Sequence, residues 1–146
     1  MASHDADHTM DRDQALMDTI QQERLSIGFG CSSFAESEEI VRLIQASVHP
    51  IPQDSVLATL DCRAQMGEII SLILGIRLVV FPASTLSQIK ETTTHSPLAL
   101  ARTRTSNVAE AAALASLGPT ARLIVARKKG RFCTCAVAAI SVEVPS

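Results

Sequence analysis

Several residues that could bind or react with a ligand lie at the ends of apolar segments that predict strands. Gly30, Cys31, Ser32 and Ser33 follow the first of these segments, and Asp61 ends the second. In open α/β sheets, ligands bind beyond the carboxyl ends of the parallel strands. A glycine-bearing turn at that place can offer backbone amides to a carboxylate or a phosphate. The pattern therefore predicts a binding site, with Asp61 as a candidate functional carboxylate.

Each of these residues also has a structural explanation. The two serines can cap the helix that follows, and capping uses the same amides as anion binding. Gly28 and Gly30 can simply allow close backbone packing, and they lack the third glycine of a dinucleotide-binding fingerprint. Asp61 can cap the next helix or pair with Arg63. The residues alone leave both explanations open.

A basic segment occupies the last third of the chain. Between Arg102 and Arg131 there are seven Lys or Arg residues and one acid, in a chain with a formal net charge of −2. Such a local excess predicts a surface that meets an anionic partner. Lys128 and Lys129 fall in a turn predicted around Gly130. A solvated hairpin turn is the alternative explanation for these lysines.

The same segment contains a helix start. Asn107 and Glu110 have the N-cap and N3 spacing of a capping box, which by itself explains Glu110. The sequence has no nucleophile elbow, and no serine or cysteine has an identifiable base. General-base candidates are therefore limited to Asp61, Glu110 and the loop residue His95.

The four cysteines predict neither a metal site nor a bound cofactor. Cys133 and Cys135 are two residues apart on a predicted strand and share a face, which favours burial. The sequence has no Cys-x-x-Cys motif, and no His lies at ligand spacing from a Cys. We expect all four, including Cys31 and Cys62, to be buried, reduced thiols in a reducing compartment.

Composition predicts one globular domain. The 146 residues are 47% hydrophobic and 19% charged, with four Phe, no Trp and no Tyr. An aliphatic core follows, and the scarcity of stacking platforms argues against single-stranded nucleic acid as a partner. No run approaches the roughly 18 apolar residues of a membrane span. We expect a cytoplasmic protein with a flexible acidic segment at residues 1–24 and one domain at residues 25–146.

Apolar periodicity predicts alternating strands and helices. That alternation implies a three-layer α/β/α fold with a mixed, mostly parallel sheet of about five strands, which ends in a C-terminal antiparallel hairpin. The predicted strands are Leu25–Cys31, Val56–Asp61, Arg77–Phe81, Arg122–Arg127 and Phe132–Val142, and the predicted helices are Ala35–Ser47, Gln65–Leu74, Ala83–Ile89 and Val108–Leu117.

The order of four segments resembles a known family. Leu25–Cys31, Leu57–Asp61, Leu78–Ser84 and Ser106–Leu114 follow one another as in the cobalamin-biosynthesis protein CobE and the C-terminal domain of CbiG. Leu123–Ile140 is similar to the closing hairpin of that family. The resemblance covers roughly residues 25–140, and Ser106–Leu114 is its most specific part.

The resemblance implies a role in cobalamin biosynthesis with a carboxylate-rich precorrin or corrin intermediate as ligand. The protein would assist or hold an intermediate, with another pathway enzyme as a partner. Lactone opening as in CbiG, and a non-catalytic regulator that binds anions or nucleic acid, are the alternatives. The sequence leaves the oligomeric state open. The predicted ligand-binding residues are Gly30, Cys31, Ser32, Ser33, Asp61, Ser106, Asn107, Glu110, Lys128 and Lys129.

Overall fold

The computed structural model describes residues 23–89 and 108–141. Within these ranges the chain forms strands, helices and one 3-10 turn, close to the predicted order. The elements are β1 (Glu23–Cys31), α1 (Ser37–Ser47), β2 (Val56–Leu60), the 3-10 turn (Asp61–Arg63), α2 (Ala64–Leu74), β3 (Arg77–Phe81), α3 (Ala83–Leu86), α4 (Val108–Leu117), β4 (Arg122–Lys129) and β5 (Cys133–Ser141).

The described strands form one mixed sheet in the order β3-β2-β1-β5-β4. β1 pairs with β2, and β2 with β3, in parallel, because α1 and α2 supply the crossovers that parallel neighbours require. β5 pairs antiparallel with both β1 and β4. The predicted mixed sheet with a C-terminal antiparallel hairpin is confirmed.

Helices cover both faces of this sheet. On one face, α1 and α2 pack on the larger apolar cluster, which includes Ile27 and Phe29 of β1 and Ile44 of α1. On the other face, α4 and the short α3 pack on smaller clusters that include Ala58 and Ala138. The predicted three-layer architecture is therefore confirmed.

The Ala-rich helix α4 lies unusually close to the sheet at Gly28. A Cβ atom at this position would be 1.9 Å from the carbonyl oxygen of Ala109. Ala109, Ala112 and Ala113 have no exposed surface, so small residues on the helix meet a glycine on the strand. The packing explanation for Gly28 is confirmed, because any side chain would push α4 away from β1.

The loop after β1 differs from its prediction. Helix α1 begins at Ser37, with Glu36 at the N-cap position and no side-chain capping bond. Neither serine caps this helix. Instead, the Ser32 hydroxyl accepts a hydrogen bond from the Phe34 N–H at 3.2 Å, which stabilises a local turn before the helix.

The C-terminal hairpin also turns later than predicted. β4 continues through Lys129, so Lys128 and Lys129 are strand residues opposite Cys135 and Thr134. The turn is closed by a hydrogen bond of 2.7 Å from the Gly130 N–H to the carbonyl oxygen of Cys133. The register set by this bond decides which lysine faces which side of the sheet.

Candidate functional site

An open cleft of about 540 Å³ lies at the carboxyl ends of β1 and β2. The hairpin turn between β4 and β5 forms one side of this cleft, and the first residue of α4 contributes to its wall. Its lining residues are Gly30, Cys31, Ser32, Leu60, Cys62, Arg63, Val108, Lys129, Gly130, Arg131, Phe132, Cys133 and Thr134. The cleft occupies the end of the sheet where ligands bind in open α/β folds.

Four of the predicted binding residues line this cleft. They are Gly30, Cys31, Ser32 and Lys129. Ser33, Asp61 and Lys128 are exposed neighbours of lining residues but do not line it themselves. Ser106 and Asn107 lie outside the described residues, as does His95.

The charge of the cleft is positive. Arg63, Lys129 and Arg131 line it, and none of the described lining residues is an aspartate or a glutamate. Arg63 is carried to the rim by the 3-10 turn that follows β2. The sequence pattern indicated Arg63 only as a partner for Asp61, because a strand-end turn does not reveal which of its side chains faces the cleft. Cations at a partly desolvated rim suit ligands that carry carboxylates.

An aromatic pair stands beside these cations. Phe34 is 75% exposed and Phe132 36% exposed, with their ring centroids 5.9 Å apart and an angle of 45° between the planes. The Arg131 guanidinium lies 5.0 Å from the centroid of the Phe132 ring. Composition predicted no stacking platform because Phe is scarce. A residue count does not show that two of the four Phe side chains lie together on the surface.

The turn that carries Phe132 is held from two sides. The Ser32 N–H donates to the Phe132 carbonyl oxygen at 3.0 Å. The Phe132 N–H donates to the Glu39 carboxylate, which reaches across from α1, at 2.8 Å. A Cβ atom at Gly130 would lie 2.9 Å from Cys133 Sγ and 3.2 Å from Glu39 Oε2, so this turn is closely packed beneath its exposed side chains.

Two thiols of the cleft are kept in their neutral form. Cys31 and Cys133 are directly paired across β1 and β5. Burial, together with the charge and the hydrogen bond of Glu39, raises the pKa of the Cys133 thiol to about 12. Burial also raises the pKa of Cys31, although the Arg63 charge opposes that shift.

The expectation of four buried cysteines is wrong for Cys62. This residue lies in the 3-10 turn and is exposed, whereas Cys133 and Cys135 are buried and Cys31 is intermediate. The strand ends at Leu60, so Cys62 is not held within the sheet. All four thiols are unpaired, and no group of His, Cys, Asp and Glu among the described residues could hold a metal ion.

Glu110 has a role beyond the predicted capping box. It has no exposed surface, and its carboxylate accepts a hydrogen bond of 2.9 Å from the Arg127 N–H. The pairing of β4 with β5 shifts by one residue between Val125 and Lys128, which marks a bulge around Arg127. Glu110 therefore links α4 to the bulged strand. Its predicted partner Asn107 lies outside the described residues.

The fold and the cleft define a three-layer α/β domain with a cationic cleft at the carboxyl ends of its parallel strands. Residues 25–138 match the family described as "Cobalamin synthesis G C-terminus". The match covers most of the chain, and the protein belongs to this family. It is a cobalamin biosynthesis protein, as the order of its sequence segments predicted.

Solved structures have the same fold. The crystal structure of CobE, a protein from the cobalamin (vitamin B12) biosynthetic pathway, is 25% identical, with a TM-score of 0.66 over 81% of this chain and 91% of that chain. The cobalamin biosynthesis protein chiG from Agrobacterium tumefaciens str. C58 is 23% identical, with a TM-score of 0.57 over 78% of this chain and 96% of that one.

A longer protein contains the same fold. A putative cobalamin biosynthesis protein G homolog from Sulfolobus solfataricus is 21% identical, with a TM-score of 0.64 over 80% of this chain but only 36% of that chain. No match was found among the curated proteins. In the described part of the chain, no helix is long and apolar enough to cross a bilayer.

Proposed function

We propose that this protein binds a carboxylate-rich precorrin or corrin intermediate in the cationic cleft and holds it for another enzyme of cobalamin biosynthesis. One observation carries this proposal: Arg63, Lys129 and Arg131 converge on a single cleft from two separate segments of the chain. The peripheral carboxylates of a corrin precursor can form charge-assisted hydrogen bonds with such cations.

The shape of the cleft favours holding an intermediate over enclosing it. Ligand pockets of about 300–1,000 Å³ bury most of a drug-sized molecule, whereas a tetrapyrrole with its carboxylate side chains is larger. A cleft of about 540 Å³ that is open to solvent would therefore contact one edge of the macrocycle. The remaining face would stay accessible to a partner enzyme, which is the arrangement that a carrier requires.

The chemistry of the lining favours binding over lactone opening. A hydrolytic step needs a general base within reach of a water molecule. The described lining residues offer thiols, hydroxyls and cations, and the raised pKa of Cys31 and of Cys133 keeps these two thiols neutral. Asp61, the nearest predicted base in the sequence, does not line the cleft.

A titration with a purified corrin tests the proposal. Visible absorbance of hydrogenobyrinate should change saturably on addition of the protein at low salt. Replacing Arg63 and Lys129 together by Ala should weaken binding by about tenfold or more, since charge-assisted contacts contribute roughly 1.5–3 kcal/mol each. Lys128→Ala is the matched control for Lys129→Ala alone, because this exposed lysine carries the same charge and is adjacent in sequence but does not line the cleft.

Three outcomes would contradict the proposal. The first is no binding of hydrogenobyrinate or of late precorrins by the wild-type protein. The second is an equal loss of affinity in the Lys128→Ala control, which would indicate non-specific attraction to a basic surface. The third is conversion of a precursor by this protein alone, which would support the lactone-opening alternative instead.

A further inference from the structure

We propose that Phe34, Phe132 and Arg131 form an aromatic platform that stacks against the conjugated face of the macrocycle while the cleft binds its carboxylates. This inference rests on the proposed function. It concerns the conjugated ring system of the ligand, which the cations of the cleft do not recognise. It assigns a subsite for a flat conjugated system with anionic substituents at its rim.

The position of the two rings is unusual for this chain. Of the other two phenylalanines, Phe29 has no exposed surface and Phe81 packs against an apolar cluster. Phe34 and Phe132 instead occupy turn positions, where Gly, Pro, Asn, Asp and Ser dominate. Exposing both rings to water is unfavourable in free energy, because apolar surface is hydrated. Exposed apolar surface that is surrounded by polar groups is typical of ligand-binding grooves.

The platform is built on a fixed backbone. Ser32 contacts both halves, because its N–H donates to the Phe132 carbonyl oxygen at 3.0 Å and its hydroxyl accepts from the Phe34 N–H at 3.2 Å. Glu39 holds the Phe132 N–H from the opposite side at 2.8 Å. A backbone that is already hydrogen-bonded does not have to be ordered when a ligand stacks on its rings, which favours affinity.

Arg131 joins the platform to the cleft. Its guanidinium lies 5.0 Å from the Phe132 ring centroid, and Arg131 also lines the cleft beside Lys129. A ligand that stacks on the rings would therefore bring its peripheral carboxylates to this cation. A tetrapyrrole can use both features, because its conjugated ring can stack on an aromatic side chain while a peripheral carboxylate pairs with the cation.

The test replaces both rings with leucine. Phe34→Leu with Phe132→Leu keeps apolar bulk but removes the π-face, so the thermal midpoint should stay close to that of the wild type. Affinity for hydrogenobyrinate should fall by about 5–20-fold, in the range measured for stacked ring contacts. The loss should be the same at low and high salt, whereas the loss caused by Arg63→Ala with Lys129→Ala should shrink as salt screens the charges.

The outcomes separate the platform from the proposed function. Wild-type affinity in the leucine variant, together with weaker binding in the charge variant, would overturn the platform and leave the function standing. If the wild-type protein binds a porphyrin polycarboxylate through these rings but not hydrogenobyrinate, the platform stands and the corrin assignment fails. Failure to bind either macrocycle overturns both, and tighter binding of a single-stranded oligonucleotide than of either macrocycle would overturn the assigned ligand class.

Discussion

The Glu110 carboxylate accepts a hydrogen bond from the backbone N–H of Arg127 at 2.9 Å. This bond connects the first turn of α4 to a bulge in β4, where an N–H group would otherwise be left out of the strand ladder. Val108 begins the same helix and Lys129 ends the same strand, and both line the cleft. A buried carboxylate thus fixes the relative position of two elements that form the candidate site.

Removing this carboxylate should destabilise the protein. Glu110→Ala removes the carboxylate that accepts the part-buried Arg127 N–H, and we expect the free energy of unfolding to fall by about 1.5–3 kcal/mol. Glu110→Gln retains an amide oxygen as acceptor and should lose less. Equilibrium urea unfolding of both variants measures the difference. A loss below about 0.5 kcal/mol in Glu110→Ala, within the range of ordinary surface changes, would show that the link is dispensable.

Gly28 should tolerate no side chain. In Gly28→Ala the added methyl group meets the Ala109 carbonyl oxygen at 1.9 Å, and the helix backbone cannot move aside as a flexible side chain would. We expect a cost at or above the upper end of the usual 1–3 kcal/mol for overpacking, roughly 3 kcal/mol or more. The measurement is the free energy of unfolding in urea.

Gly75→Ala is the matched control for this substitution. Gly75 has a positive φ of 71° but no atom within 4 Å of an added Cβ. Its cost should therefore be limited to the left-handed backbone conformation, about 1–2 kcal/mol. An equal cost at the two positions would mean that moving α4 away from β1 costs no more than the backbone strain at Gly75.

Thiol labelling should distinguish Cys62 from the other cysteines. Iodoacetamide at neutral pH should modify the exposed Cys62 first, while Cys133 and Cys135 should react only after unfolding. Mass spectrometry of tryptic peptides over time gives the order. Cys62→Ser should remove the fast phase and leave the slow phases unchanged. Rapid labelling of Cys135 in the folded protein would contradict the buried position of β5.

Alkaline pH should weaken the fold through Cys133. Its pKa is raised from the ordinary 9.0 to about 12, so the folded state favours the neutral thiol. A raised acid pKa contributes stability that is complete below about pH 9 and is lost as the pH rises toward 12. Urea midpoints between pH 8 and 11 should therefore fall more steeply in the wild type than in Cys133→Ser. Parallel pH profiles of the wild type and Cys133→Ser would show that ionisation of the Cys133 thiol does not affect stability.

The sequence by itself determined most of the secondary structure. The predicted bounds of β3 and α4 agree with the structure at both ends, because apolar periodicity is a local property of each segment. The strand-end rule also indicated Gly30, Cys31 and Ser32 as cleft residues, since parallel strands present their carboxyl ends at one edge of the sheet. Topology made that part of the site predictable.

The tertiary structure decided which side chains meet. The hairpin register places Lys129 at the cleft and Lys128 outside it, and a turn predicted from glycine alone could not distinguish the two. The Phe34–Phe132 contact and the Glu110–Arg127 bond join residues that are far apart in the chain. Pattern and propensity describe neighbours along the chain, whereas these contacts depend on how α4 and the C-terminal hairpin pack against β1.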